Sequence, residues 1–422
     1  MTAIVGVLNK HAIAVAADSA ETVGGGLKIY DKANKIFTLS KHHPVGIAIY
    51  NNAAFNSLIP WEIIIKMYRR QLGEKPFDTV KEYSDDFFSY LRKYQSDYLT
   101  QSDFDSITSE EIRGFWIMEV VEKLPNRIAN SADISPADLG ELETLLSSFK
   151  TRAVLSPKIP ELASVSLSQF KSSIKPFLEP VVAQIVKVGG DSDKFNTLIA
   201  ESLFEVFSRQ CVDRHMYSGL AFFGYGELEI YPSLIEVLVY NSFAGELYFS
   251  EKASKQVNNQ SPIAHIHPMA QTDVMQTYIE GISPQIEQTF LNTTEDTVKN
   301  VLSAIAKAFK SNPVLANSIA NIDLSPFMGT YQRIIKQFKI NNAIAPLMGT
   351  VATMEKEDLA ELAENLIYLT SLKRRITPNL ESVGGPVDVV IVSKGDGFIW
   401  LKRKHYFDPK LNRTYFEKYF KS

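Results

Sequence analysis

A single cysteine among 422 residues, Cys211, leaves no intrachain disulfide to form and excludes a cysteine-rich metal site, a usage that fits a reducing cytoplasm. Basic residues are not in excess either. The 44 Lys and Arg stand against 48 Asp and Glu, a formal charge of −4, so nucleic-acid phosphates meet no general attraction. Long apolar runs are also missing. Ala3 to Leu8 and Ala12 to Ala17 are split by Asn9-Lys10-His11 into pieces too short for a secretion signal, and no later stretch reaches the roughly 20 apolar residues that cross a bilayer. The chain reads as soluble, cytoplasmic and unprocessed apart from its first methionine, with neither membrane nor nucleic acid as partner. It has no internal repeat and no low-complexity tract.

Cofactor signals fail one by one. Gly24-Gly25-Gly26 is not followed by the Lys and Ser/Thr of a phosphate-binding loop, and Gly224-Tyr225-Gly226 lacks the third glycine of a dinucleotide motif. His265-Ile266-His267 would place both imidazoles on one face of an extended segment, but no third ligand follows at diagnostic spacing. Cys211, near Asp213 and His215, reads as an incidental thiol rather than a nucleophile. No cofactor and no metal are expected.

What is present is an ordinary globular composition, 45% hydrophobic and 22% charged, long enough for a large core. Ala3 to Leu8 and Ala12 to Ala17 read as a hairpin of buried strands; Lys35 to Leu39 and Val45 to Tyr50 read as two more. From Ala53 to Leu72 apolar residues recur at helical spacing, with Pro60 a kink or an irregular start. Residues 76–215 carry helical signals broken at prolines. Strand character returns at Leu220 to Gly224, Leu234 to Val239 and Glu246 to Phe249, and a second helical block covers 271–375. Val387 to Val392 and Phe398 to Leu401, joined by Ser393-Lys394-Gly395-Asp396-Gly397, form a hairpin. Strands, helices, strands, helices and strands in that order predict an α+β fold of antiparallel sheets covered by helices.

Three short stretches narrow the reading. Thr2-Ala3-Ile4-Val5-Gly6, Ala16-Ala17-Asp18-Ser19 and Asn34-Lys35-Ile36-Phe37 resemble, in letters and spacing, the start of β-type proteasome subunits and the bacterial HslV peptidase. This resemblance covers about the first 70 residues, is faint in the central strands and returns around Gly384 to Trp400. It implies an N-terminal-nucleophile (Ntn) hydrolase fold, a four-layer αββα sandwich of two antiparallel sheets, here with two long helical insertions. The implied core is 1–75, 216–270 and 376–405, with a helical insertion at 76–215, a helical layer with insertion at 271–375 and a C-terminal tail at 406–422.

Carried over by position, Thr2 is the nucleophile once Met1 is removed, Asp18 the buried carboxylate and Lys35 the paired ammonium. Asn51 is the backbone oxyanion donor, and Ser382 the supporting hydroxyl, with Thr272 ranked below it. The interval from Thr2 to Lys35 is one residue longer than the family's, which points to the glycine turn and makes Lys32 the fallback. Where the family prefers glycines this chain has Asn51-Asn52-Ala53-Ala54, and Val383 stands where a serine precedes the glycine pair. The residue types suit the chemistry. A threonine hydroxyl needs an adjacent base, and only an N-terminal residue supplies its own α-amine. The resemblance thus implies a threonine-type peptidase or amidase acting on peptide or protein substrate inside a homo-oligomer, with an unfoldase or regulator left open. The alternative is a catalytically lapsed assembly or binding protein that uses its helical insertions for partner contacts.

Overall fold

The computed structural model describes residues 2–23, 28–30, 32–124, 134–153, 156, 158, 165–209, 217–377, 383–405, 407–414 and 417. The chain opens with strands β1 (Ala3–Asn9), β2 (Ile13–Ala17), β3 (Glu21–Val23), β4 (Lys28–Tyr30), β5 (Ile36–Thr38), β6 (Val45–Asn51), β7 (Ala54–Phe55) and β8 (Ile59–Pro60). Helices α1 (Trp61–Leu72), α2 (Val80–Tyr98), α3 (Gln101–Gly114), α4 (Leu139–Ala153), α5 (Leu167–Lys187) and α6 (Ser192–Ser208) follow. Strands β9 (Tyr217–Gly224), β10 (Ser233–Tyr240), β11 (Phe249–Gln256) and β12 (Ala264–Ala270) come next. Helices α7 (Asp273–Glu280), α8 (Pro284–Ala308), α9 (Pro313–Ala320), α10 (Ser325–Lys339), α11 (Ala345–Val351) and α12 (Lys356–Ile376) precede the hairpin β13 (Asp388–Ser393) and β14 (Gly397–Lys402).

Two five-stranded antiparallel sheets result, in the orders β12-β1-β2-β13-β14 and β11-β10-β9-β6-β5. Every residue of β1 and β2 is buried, which is why those strands read as continuous apolar runs instead of alternating ones. The period of two still sorts their faces. Ile4, Leu8, Ile13 and Val15 meet Ala48, Tyr50, Phe223 and Leu234 of the other sheet, whereas Ala3, Val5 and Val7 meet Leu359, Ala363 and Ile367 of α12. On the opposite outer face Trp61, Ile64 and Tyr68 of α1 and Phe87 of α2 cover Ile47, Ile49, Leu220 and Phe222. The order helix, sheet, sheet, helix gives the four-layer αββα arrangement.

Helix α2 lies within the stretch 76–215 but packs on β9 and β10 alongside α1. The end of α3 and helices α4 to α6 enclose a separate core of Trp116, Leu146, Phe149, Ile174 and Leu203, stitched to the sandwich by Phe243 and Tyr248 of the β10–β11 connection. Helices α8 to α10 leave Phe290, Val301, Phe327, Ile334 and Phe338 exposed.

Three expectations shift. The helix expected from Ala53 starts only at Trp61, because Pro60 has no N–H to continue an earlier turn and the preceding residues form β7 and β8. Glu246 to Phe249 is not a strand. Only a Phe243–Glu246 bridge lies there, and β11 runs from Phe249 onward through a charged segment. The His265-Ile266-His267 segment lies in strand β12, which has Pro268 inside it and pairs β1 along one side at a sheet edge, where a missing N–H is tolerated.

Candidate active site

Residue 2 is placed by the sheet. Thr2, 7% exposed, sits just before β1, and its carbonyl accepts from Gln271 N at 3.2 Å, one residue past the end of β12. On the other side of β1, Asp18 follows β2 directly and its N–H donates to Ala3 O at 3.1 Å. The register of β1 on β2 therefore delivers the Asp18 carboxylate to the start of β1.

That carboxylate is 1% exposed and is held only by donors. Oδ1 accepts from Ala3 N at 2.9 Å and from Lys35 Nζ at 2.7 Å; Oδ2 accepts from Ala20 N and Gly384 N, both at 3.2 Å. Lys35 Nζ also donates to Ala20 O at 2.6 Å, while the Lys35 carbonyl accepts from Ile49 N at 2.8 Å. An ammonium whose side chain is 7% exposed is thus bound to a buried counter-charge, and the peptide N–H that follows Thr2 converges on the same oxygen. Lys32, the fallback, is exposed.

The end of β6 lies two residues past Ile49, whose N–H binds the Lys35 carbonyl. Asn51 has φ 67°, the left-handed geometry that asparagine tolerates better than most residues, and its side chain donates to Tyr217 O at 2.8 Å. Asn52 Oδ1 accepts from Ala54 N at 3.1 Å, an Asx turn. Trp61 Nε1 donates to Ser218 Oγ at 2.8 Å, fixing the first turn of α1 against β9 where Ser218 faces Asn51.

Near the C-terminal strands, Val383 is buried, its carbonyl accepts from Ser371 Oγ at 3.2 Å, and Gly384 closes on Asp18 and on Ser19 N. Ser382 lies outside the described residues, as do Met1, Cys211 and the Gly24-Gly25-Gly26 turn. Thr272 occupies the position before α7, next to Gln271, and its side chain makes no capping bond. The backbone roles of Ala20 and Gly384 had no signal of their own in the sequence, although the Gly384-Gly385 pair marked the segment. An opening of about 480 Å³ between α12 and this segment, lined in part by Tyr368, Ser371 and Arg375, reaches Asp18 from the helix side.

The remaining chemical candidates have protein partners. His265 Nε2 lies 3.2 Å from Gln256 O and His267 Nε2 lies 2.9 Å from Glu236 Oε2. Burial lowers the His265 pKa, partly opposed by that carbonyl. Among the described residues no group of three or more His, Cys, Asp or Glu is placed to hold a metal, and no helix is long and apolar enough to cross a membrane.

No family model and no curated protein matches the chain. Among solved structures it is similar to Anbu (ancestral beta-subunit) from Yersinia bercovieri, at 9% identity and a TM-score of 0.27 over 99% of this chain and 94% of that one. It is likewise similar to the Anbu (Gly-1) mutant from Hyphomicrobium sp. strain MC1, at 9% identity and a TM-score of 0.32 over 99% and 95%, and to Anbu from the same strain in another crystal form, at 7% and 0.27 over 99% and 95%.

Proposed function

We propose that this chain is a proteasome-like, threonine-type N-terminal-nucleophile hydrolase of peptide or amide bonds, with Thr2 the nucleophile after removal of Met1. The observation that carries the reading is the buried Asp18 carboxylate taking both the Lys35 ammonium and the peptide N–H adjoining Thr2. A hydroxyl is a weak nucleophile, and a free α-amine with a pKa of about 7.7–8.0 can take its proton near neutrality. In acylation Thr2 Oγ bonds to the substrate carbonyl carbon as its proton passes to the α-amine. Collapse breaks the C–N bond, and the same proton leaves with the amine product. Water then adds to the ester, passes one proton to the α-amine and so to Oγ, and releases the acid. The Lys35 charge disfavours a protonated α-amine, so the base stays free. In this reading the Asn51 N–H is the oxyanion donor and Ser382 the supporting hydroxyl. The exposed apolar side chains of α8 to α10 support assembly with further copies in the cytoplasm.

A second reading, a lapsed site on an assembly protein, is favoured by one feature: Val383 fills the place of a polar residue before the glycine pair and is fully buried. Intact mass after incubation with a β-lactone separates the two. A single adduct that disappears in Thr2→Ala supports the hydrolase; a free Thr2 amine with no adduct supports the lapsed site.

A further inference from the structure

The face of β10 that meets the other sheet carries Leu234 and Leu238 in the inter-sheet core, and between them Glu236, with no exposed surface. A carboxylate in that layer is costly unless donors surround it, and an apolar residue of similar size would pack there without that demand. The donors are present. Glu236 Oε1 accepts from Tyr50 Oη at 2.5 Å and from Lys252 Nζ at 3.0 Å, and Oε2 accepts from His267 Nε2 at 2.9 Å. Burial resists ionisation of Glu236, but His267, Tyr50 and Lys252 outweigh it and hold its pKa below the usual carboxylate range. Burial and Glu236 together drive the Tyr50 phenol well above its ordinary value, so it remains a donor.

Four strands meet at this group. Tyr50, Glu236 and Lys252 belong to β6, β10 and β11 of one sheet, and His267 belongs to β12 of the other, so the His267 bond crosses between sheets. Tyr50 immediately precedes Asn51. Its ring lies over Gly219, where an added Cβ would sit 2.0 Å from the ring, so the orientation of Tyr50 depends on the glycine opposite it. On the other sheet His267 pairs with Gly6, and the same strand ends at Ala270 against Ala3, next to the Gln271 N–H that binds Thr2 O.

We propose that Tyr50, Glu236 and His267 form a positioning brace that locks the strand end carrying Asn51 to the strand end carrying Thr2, setting the distance between oxyanion donor and nucleophile. The brace rests on the hydrolase reading for its consequence but not for its existence. It contributes no group to the reacting atoms. Its signature is a slower chemical step at unchanged substrate affinity, because a donor moved by a fraction of an ångström is felt in the transition state and not in the ground state.

Tyr50→Phe keeps the ring over Gly219 and removes only the hydroxyl, so it is the variant of choice; Lys252→Met removes a donor on β11, outside the path from Tyr50 through Glu236 to His267, and serves as the comparison. Hydrogen exchange of peptides covering 48–56 and 264–272 reads the brace without activity. Tyr50→Phe should speed exchange in both, and Lys252→Met in neither; unchanged exchange in Tyr50→Phe overturns the brace whatever the enzyme does. The rate of Thr2 acylation by a β-lactone then reads the consequence. Tyr50→Phe should lower the limiting rate about tenfold, the equivalent of one charge-assisted hydrogen bond, with half-saturation within about twofold. An equal loss in half-saturation, or a wild-type limiting rate, refutes the positioning role. A wild-type protein with a free Thr2 amine and no adduct refutes the hydrolase reading instead, while the exchange result still decides the brace.

Discussion

Asp18→Asn is the sharpest test of the candidate site, because the replacement is nearly isosteric and only its hydrogen-bonding sense changes. Both oxygens of Asp18 accept exclusively from donors: Ala3 N and Lys35 Nζ on one, Ala20 N and Gly384 N on the other. An amide must turn its NH2 toward one of these pairs, so either orientation sets donor against donor. If the NH2 faces Oδ2's partners, two backbone N–H groups lose their acceptor. If it faces Oδ1's, Lys35 loses its bond to the Asp18 carboxylate and keeps the one to Ala20 O. Breaking a buried pair by removing one partner costs about 3–5 kcal/mol, and hydrogen bonds to charged groups are worth about 1.5–3 kcal/mol each, so the two routes to the magnitude agree. Urea unfolding followed by fluorescence should show a destabilisation of that order. The buried Trp61, on the helix layer over the second sheet, is a suitable reporter. Adding Lys35→Met to Asp18→Asn should recover much of the loss, because the buried cation that Asp18 balanced is then gone. A single mutant within about 1 kcal/mol of wild type would refute the coupling of Lys35 to Asp18 as drawn.

Three further outcomes follow from the same geometry. Mature protein made in a cytosol should begin at Thr2, and Thr2→Ala should lose all β-lactone labelling while melting close to wild type, since the change removes only a hydroxyl and a methyl group; retention of Met1 by intact mass, or undiminished labelling, sinks the mechanism. Lys35→Arg should fail to restore labelling lost in Lys35→Ala, because a planar guanidinium does not fit the site of a compact ammonium bonded to Asp18 Oδ1 and Ala20 O, and full activity of the arginine variant would contradict this. The raised Tyr50 pKa favours the neutral phenol, so its contribution to stability is complete below the unfolded value of about 10 and is lost as pH rises beyond it; melts from pH 9 to 11 should therefore fall less steeply in Tyr50→Phe, and parallel curves would exclude Tyr50 as the group responsible.

Much of the first sheet was legible because its strands are buried on both faces, so β1, β2 and β13 announce themselves as apolar runs. Asp18 and Lys35 were legible only jointly, through their spacing from Thr2. The structure brings those two side chains together and leaves Lys32 in solvent. Strands β11 and β12 were not legible as strands. Ser250-Glu251-Lys252-Ala253-Ser254-Lys255 has no apolar alternation, because an edge strand faces water on much of its surface and takes its pairing from β10. His267 accordingly appeared as half of a possible metal pair, and its actual acceptor, Glu236, lies 31 residues earlier on another sheet. Gly384 is 366 residues from Asp18 in sequence. No periodicity could have joined them; the join comes from β13 closing on β2.

The separate core enclosed by the end of α3 and by α4 to α6 has a consequence for how the molecule opens. Those helices bury their aromatic and aliphatic side chains mainly against one another, and among the described residues the strand region joins the cluster through Phe243 and Tyr248, with Tyr240 and Ala244 packed against it. Cooperative opening is confined by shared packing, so this block forms a foldon of its own, able to exchange its amides through sub-global opening while the sandwich stays closed. Insertions and sequence drift in α4 to α6 can accordingly accumulate with little strain transmitted to β1, β2 and β6. The geometry around Asp18 lies in the sandwich, which meets this block through α3, with Phe104 and Ile107 in one core and Ile112 in the other, and through the β10–β11 connection.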